Sequence, residues 1–209
     1  MILEGVNNII FDLGGVVIDI DTSLSFDKLS SFYRGDQPAE GLMSENVELF
    51  LNFEKGLISS HEFREGIRKL TDHHDLTDQQ IDDAWNRMLL HIPQERFHVL
   101  ETIRPHYQLF VLSNTNAIHV PAFNGIVQKV SGRAGIDHFF DKVYFSHEMK
   151  KRKPDADIYQ QLLDENQLKP SETLFIDDRY ENIAAAATLG LRVLHVTPQE
   201  GIVEFFAKV

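Results

Sequence analysis

Three short apolar runs in this chain each end on side chains that water or a ligand must satisfy, and that pattern constrains the fold most. Residues 6–12 read as a buried strand closing on the carboxylate of Asp12, and Leu13-Gly14-Gly15 then gives a turn where backbone can approach a ligand closely. Residues 107–112 close on Ser113-Asn114-Thr115-Asn116, and residues 173–176 close on Asp177-Asp178. Two further strands are expected, at 142–145 before a basic loop and at 192–196 after Gly190. Helical segments alternate with these. Residues 155–167 place Ile158, Leu162 and Leu163 on one face, and residues 182–189 are alanine-rich. Short apolar strands alternating with helices predict an α/β fold, a Rossmann-like parallel sheet with helices on both faces.

From about residue 20 to 100 the strand signal disappears. Ser59 with Glu62 has the spacing of a capping box, followed by Phe63, Ile67 and Leu70 at helical intervals. Thr77 with Gln80 repeats the pattern ahead of Ile81, Trp85, Met88 and Leu89. Weaker helices are expected around 24–32 and 47–53. The expected organisation is a core of residues 1–19 and 101–209 with a small helical cap, 20–100, inserted after the first strand. The stripes Phe63/Ile67/Leu70 and Ile81/Trp85/Met88 are expected to be the cap's own core.

Composition narrows the partners. The 20 Lys and Arg against 32 Asp and Glu give a formal net charge of −12, a field that repels polyphosphate backbones, so a nucleic-acid partner is not expected. The absence of cysteine excludes disulfides, thiolate metal sites and a cysteine nucleophile. No apolar run approaches the roughly 18 residues of a membrane span, so a soluble cytoplasmic protein with no membrane partner is expected. The ten histidines contain no HExxH pair, and His73-His74 reads as a surface loop.

Ligands of open parallel sheets bind at the carboxyl ends of the strands. Here those ends carry Asp12, Ser113-Asn114 and Asp177-Asp178, with Lys153 in the loop after the third strand. Facing carboxylates repel unless a cation lies between them, and hard oxygen ligands favour magnesium. A hydroxyl, an amide and a lysine beside them suit a phosphoryl group. Asp12 could attack phosphorus as a carboxylate nucleophile, with Lys153 and Ser113 stabilising the equatorial oxygens.

These segments resemble the four motifs of the haloacid dehalogenase-like (HAD) hydrolase superfamily: residues 9–17, Val111-Leu112-Ser113-Asn114-Thr115, Lys151-Arg152-Lys153-Pro154-Asp155 and Phe175-Ile176-Asp177-Asp178. They occur in the family's order, and the helical insertion lies where the family carries its first type of cap. The resemblance implies a magnesium-dependent phosphatase of a small phosphorylated metabolite, acting through an aspartyl-phosphate. It makes Asp12 the nucleophile and a metal ligand, with the Gly14 carbonyl as another ligand. Asp178 matches the motif-four metal carboxylate, and Asp177 beside it a direct or water-mediated second. Ser113 matches the phosphate-binding hydroxyl, Asn114 a phosphate or substrate contact, and Lys153 the charge-neutralising lysine. Leu-Gly-Gly-Val after the aspartate, Ile-Asp-Ile-Asp at 18–21 and Phe53-Glu54-Lys55-Gly56 in the cap are similar to an α-D-glucose-1-phosphate phosphatase branch.

One position departs from the family pattern. Most phosphatases of this superfamily carry an acid/base aspartate two residues after the nucleophile, where this chain has Gly14. Such groups contribute typically ~10²–10⁴-fold. A good leaving group such as a sugar 1-phosphate would need less protonation. Alternatively, Glu54 or a substrate hydroxyl could supply the proton, or the protein could be a phosphate-ligand-binding pseudo-phosphatase. A haloacid dehalogenase also lacks that second aspartate but needs no metal, and the Asp177-Asp178 pair argues against it. A receiver domain uses similar groups, but the length, the cap and the late Asp-Asp pair speak against that reading.

Overall fold

The computed structural model describes residues 3–34 and 45–208. Five strands, β1 (Asn8–Phe11), β2 (Gln108–Ser113), β3 (Lys142–Phe145), β4 (Thr173–Asp177) and β5 (Arg192–His195), form one parallel sheet in the order β3-β2-β1-β4-β5. β1 is buried along its whole length because it lies at the centre. β5 is an edge strand, and its Arg192, Val193 and His195 are exposed.

Within β1 the side chains alternate between two covered faces. Ile9 and Phe11 join Val111, Ile176, Phe97, Leu100 and Phe123 in one apolar cluster, whereas Ile10 joins Phe110, Phe175, Ile158, Leu162 and Ile183 in another. Each face is therefore packed by helices, as the strand–helix alternation predicts.

The chain leaves the sheet after β1 and builds α1 (Thr22–Ser30), α2 (Val47–Glu54), α3 (Ser60–Leu70) and α4 (Asp78–Trp85), the last continuing into a short 3₁₀ turn at Asn86–Met88. Both capping boxes form. The Glu62 carboxylate accepts from Ser59 N at 2.8 Å while Ser59 Oγ accepts from Glu62 N at 3.2 Å, and Thr77 pairs with Gln80 in the same way. Loss of such an N-cap costs typically ~1 kcal/mol. A separate aromatic-rich cluster of Phe50, Phe53, Phe63, Ile67, Ile81 and Trp85 holds these helices together.

The outgoing and returning chains pair as a short antiparallel ribbon. Asp19 N donates to His91 O at 2.9 Å, Leu90 N to Asp19 O at 3.0 Å and Asp21 N to Met88 O at 3.0 Å. Next comes α5 (Gln94–Ile103), whose Phe97, Leu100 and Ile103 belong to the same cluster as β1. The expected boundary at residue 100 thus falls inside a helix that packs on the sheet. Helical periodicity is the same whichever body a helix covers, so the sequence pattern alone marks no boundary before the next strand. The remaining helices are α6 (His119–Ser131), α7 (Ser146–Met149), α8 (Ala156–Glu165), α9 (Tyr180–Thr188) and α10 (Ile202–Ala207).

Candidate active site

The strand order reverses at β1: β2 and β3 lie on one side of it, β4 and β5 on the other. A crevice opens at such a switch point. Phe11 is paired with both Val111 and Ile176, so Asp12, the next residue, lies level with Leu112 on one side and Asp177 on the other. Ser113 lies one step further along β2, buried, and its hydroxyl bonds no other described residue. Parallel register alone therefore brings Asp12, Ser113 and Asp177 to one edge.

Lys153 arrives from the loop after α7 and is 0% exposed. Its Nζ is 2.6 Å from Asp177 Oδ2 and 3.0 Å from Asp12 Oδ1. Burial disfavours its charge, but the two carboxylates outweigh that and hold the ammonium above its usual range. Asn114 fixes the lysine's position. Its Nδ2 donates to Lys153 O at 2.9 Å and its Oδ1 accepts from Lys153 N at 2.9 Å. Asn114 therefore clamps the lysine loop while also lining the cavity described below.

The carboxylates differ in what they have left to offer. Asp177 accepts from Lys153 Nζ, from Arg179 N at 2.9 Å and from Asn182 Nδ2 at 2.9 and 3.1 Å, which occupies both oxygens. Asp178 is half-buried; burial first, then the neighbouring Asp177 charge, raises its pKa. Burial, opposed by Lys153 and reinforced by Asp177 and Asp178, pushes Asp12 up to about 7. Oxygen atoms of Asp12, Asp177 and Asp178 lie within 4.8 Å of one another, so this cluster of hard donors fits a divalent cation.

Two glycines make the geometry possible. Gly15 has φ +73°, and a Cβ there would overlap Asp178 Oδ2. A Cβ on Gly14 would come 2.9 Å from Ile20 Cδ1, so Ile20 occupies the space into which a side chain at position 14 would project.

Above the carboxylates is a cavity of about 620 Å³, lined on the cap side by Phe26, Phe50, Trp85 and Met88. Glu54 also lines it, but its carboxylate is bound by Arg152 Nη2 at 3.1 Å and Nε at 3.3 Å. The basic run is thus divided: Lys153 turns inward, Arg152 reaches the cap, and Lys151 lies beside the exposed Asp157. Asn116, at the end of the polar run 113–116, also lines the cavity, as do His119, Arg179 and Asn182, which no sequence motif singles out. Arg179 and Asn182 carried a usable signal, being the residues just after Asp177-Asp178 at the start of a helix. His119 carried none, since a lone histidine at a helix start has no diagnostic spacing.

This chain belongs to the haloacid dehalogenase-like hydrolase family, whose model matches residues 6–190. It is 27% identical over 196 residues, 94% of this chain and 93% of the relative, to a D-ribitol-5-phosphate phosphatase of Bacteroides thetaiotaomicron. A HAD family enzyme of the same organism, crystallised with magnesium and inorganic phosphate, has a TM-score of 0.78 at 33% identity, over 93% of this chain and 96% of that one. A HAD-like family hydrolase of Porphyromonas gingivalis gives a TM-score of 0.85 at 34% identity, covering 97% of each chain. Among the described residues no helix is long and apolar enough to cross a membrane.

Proposed function

We propose that the protein is a magnesium-dependent phosphatase of a small phosphorylated metabolite, a sugar or polyol phosphate. The observation that carries this reading is the buried Asp12 carboxylate at the switch point, 3.0 Å from the Lys153 ammonium and clustered with Asp177 and Asp178. The relatives named for D-ribitol 5-phosphate and crystallised with magnesium and phosphate support it.

Asp12 would attack phosphorus in line, forming an aspartyl-phosphate as the bond to the alcohol oxygen breaks; water would then attack the same phosphorus and free Asp12. Lys153 and the Ser113 hydroxyl would meet the equatorial oxygens as charge develops on them. Asp12, Asp178 and the Gly14 carbonyl would hold magnesium, while Asp177, whose oxygens are occupied, would orient Lys153 and act on the metal at most through water. When bound, the ion supplies the positive charge that lets these carboxylates ionise side by side and that neutralises the phosphoryl group. With Gly14 in place of an acid/base carboxyl and Glu54 tied to Arg152, protonation of the leaving oxygen falls to water or a substrate hydroxyl. That favours substrates with a good leaving group, sugar 1-phosphates among them.

The test is phosphate release from D-ribitol 5-phosphate, sugar 1-phosphates, sugar 6-phosphates and phenyl phosphate, with Mg²⁺ and with EDTA. Magnesium-dependent release from at least one polyhydroxylated phosphate is the expected result. Phosphate binding without any release would favour the second reading, the pseudo-phosphatase, for which Gly14 is the motivating observation. Faster release from ordinary alkyl phosphates than from 1-phosphates would overturn the leaving-group account.

A further inference from the structure

The turn between Asp12 and the cap linker is anchored at both ends. At its near end Asp12 N donates to Ile176 O at 2.9 Å, which ties that residue to β4. Beyond Asp12 the turn closes on itself. Leu13 O accepts from Val17 N and Ile18 N at 2.8 Å each, and Gly15 N donates to Ile18 O at 2.8 Å. These bonds set the shape of the turn. They do not set its tilt against the sheet, because Gly14 and Gly15 leave the backbone beside Asp12 free to rotate.

The far end is fixed by one side chain. Arg96, in the first turn of α5, reaches it with both arms of its guanidinium. Nη1 donates to Val17 O at 3.1 Å, and Nη2 lies 2.7 Å from Asp19 Oδ1. The Arg96 side chain is 17% exposed, and Val17 is fully buried. Asp19 is itself held in the ribbon to the cap, and its other carboxylate oxygen lies 3.2 Å from His91 Nε2. Phe97 and Leu100 of α5 pack in the cluster that covers β1, so the clamp refers the turn to the body that carries Asp12.

This turn borders the carboxylate cluster. Gly14 lines the cavity together with Asp12 and Asp178. A Cβ on Gly15 would overlap Asp178 Oδ2, so the Gly15 backbone is packed directly against that carboxylate. A turn that shifts either crowds Asp178 or frees it.

We infer that Arg96 is a positioning residue for the metal site. By holding Val17 O and Asp19 together it sets the turn of residues 13–18, and through it the Gly14 backbone and the Asp178 carboxylate. The inference rests on the phosphatase reading, which places magnesium among Asp12, Asp178 and Gly14. Groups that orient metal ligands without touching the ion govern affinity by about 10–100-fold. The planar fork of arginine matters here, because the single nitrogen of a lysine does not reproduce two donors fixed in one plane.

The experiment is Mn²⁺ binding, followed by the EPR signal of the free ion, which needs no turnover. The wild type should bind Mn²⁺ and Asp178→Ala should not. Arg96→Met should raise the Mn²⁺ dissociation constant by about 10–100-fold. In phosphate-release assays the Mg²⁺ concentration for half-activity should rise by a similar factor, while kcat at saturating Mg²⁺ falls less. Arg96→Lys, which keeps the charge beside Asp19, should lie between Arg96→Met and the wild type. Arg64→Met is the control. The Arg64 side chain is 19% exposed and holds Asp82 at 2.7 Å within the cap, so this variant loses a matching ion pair away from the turn. It should bind Mn²⁺ as the wild type does.

Equal weakening in Arg96→Met and Arg64→Met would make the effect one of general stability and overturn the assignment. So would wild-type affinity in Arg96→Met or, where that variant does not fold, in Arg96→Lys. Failure of the phosphatase reading is separable. A protein that shows this binding pattern but releases no phosphate loses the activity and keeps the clamp. A wild type that binds no Mn²⁺ overturns the metal site and the clamp together.

Discussion

The floor and the roof of the cavity are built on opposite terms. On the floor a charged network is already set: Asp177 is fully bonded, Lys153 is held by two carboxylates and its peptide group is clamped by Asn114, while Asp12 and Asp178 keep oxygens open. The roof is built instead of apolar and aromatic side chains, Phe26, Phe50, Trp85 and Met88, with the Trp85 and His119 rings stacked 5.0 Å apart. The contrast separates two tasks. A phosphoryl group is the same on every substrate, so its end of the site can be preorganised by the sheet. The alcohol part of a phosphate ester would lie toward the cap, where aromatic side chains line the cavity.

The severest test of the floor is Lys153→Met, which leaves Asp12 and Asp177 facing each other without their shared cation. A drop in kcat of ~10²–10³-fold is expected. A loss of stability of about 3–5 kcal/mol, read by chemical denaturation, should accompany it. A mild effect on both would mean that the floor is not organised around the lysine.

Gly15→Ala comes next. Its Cβ would collide with the Asp178 carboxylate at a positive φ, displacing a proposed metal ligand without touching Asp12. Turnover should fall by about 10²-fold, the usual consequence of an ångström-scale misplacement, and the Mg²⁺ concentration for half-activity should rise. Normal magnesium dependence would remove Asp178 from the metal site.

The third effect is a matter of pH in metal-free protein. The folded pKa of Asp12 is raised from 3.8 to about 7, so the native state keeps a proton that the unfolded chain releases. That stabilisation is present at low pH and lost as pH rises through about 7. Asp12→Asn cannot ionise. In EDTA it should melt several degrees above the wild type at about pH 8, with the gap closing toward about pH 4. A gap independent of pH would mean that Asp12 carries no such burden.

The smallest effect is expected at the cap's edge. Glu54→Gln breaks a part-buried pair with Arg152, and kcat should change less than about threefold. A general acid at that position would instead cost ~10²–10⁴-fold.

The sheet was legible because strand ends announce themselves: apolar runs stop where Asp12, Ser113 and Asp177 begin, and parallel register does the rest. The capping boxes at Ser59 and Thr77 were legible for the same local reason. Other features were not local. Periodicity marks Trp85 as buried but does not say that one edge of its environment is a cavity. Adjacent aspartates at 177 and 178 look alike in sequence, yet only Asp177 has its oxygens filled, by groups arriving from Lys153 and Asn182. The α6 helix is capped by Asn116 but carries Pro121 and Gly125, and a lone histidine in its first turn has no spacing that marks it.

The most direct test of the central claim is chemical trapping of the intermediate. Wild-type protein turning over its best phosphate ester with Mg²⁺ would be quenched with borohydride, which reduces an aspartyl-phosphate to homoserine, and its peptides sequenced. The account requires homoserine at position 12, absent in EDTA. Trapping at another residue, or phosphate release with no modification at Asp12, would contradict it.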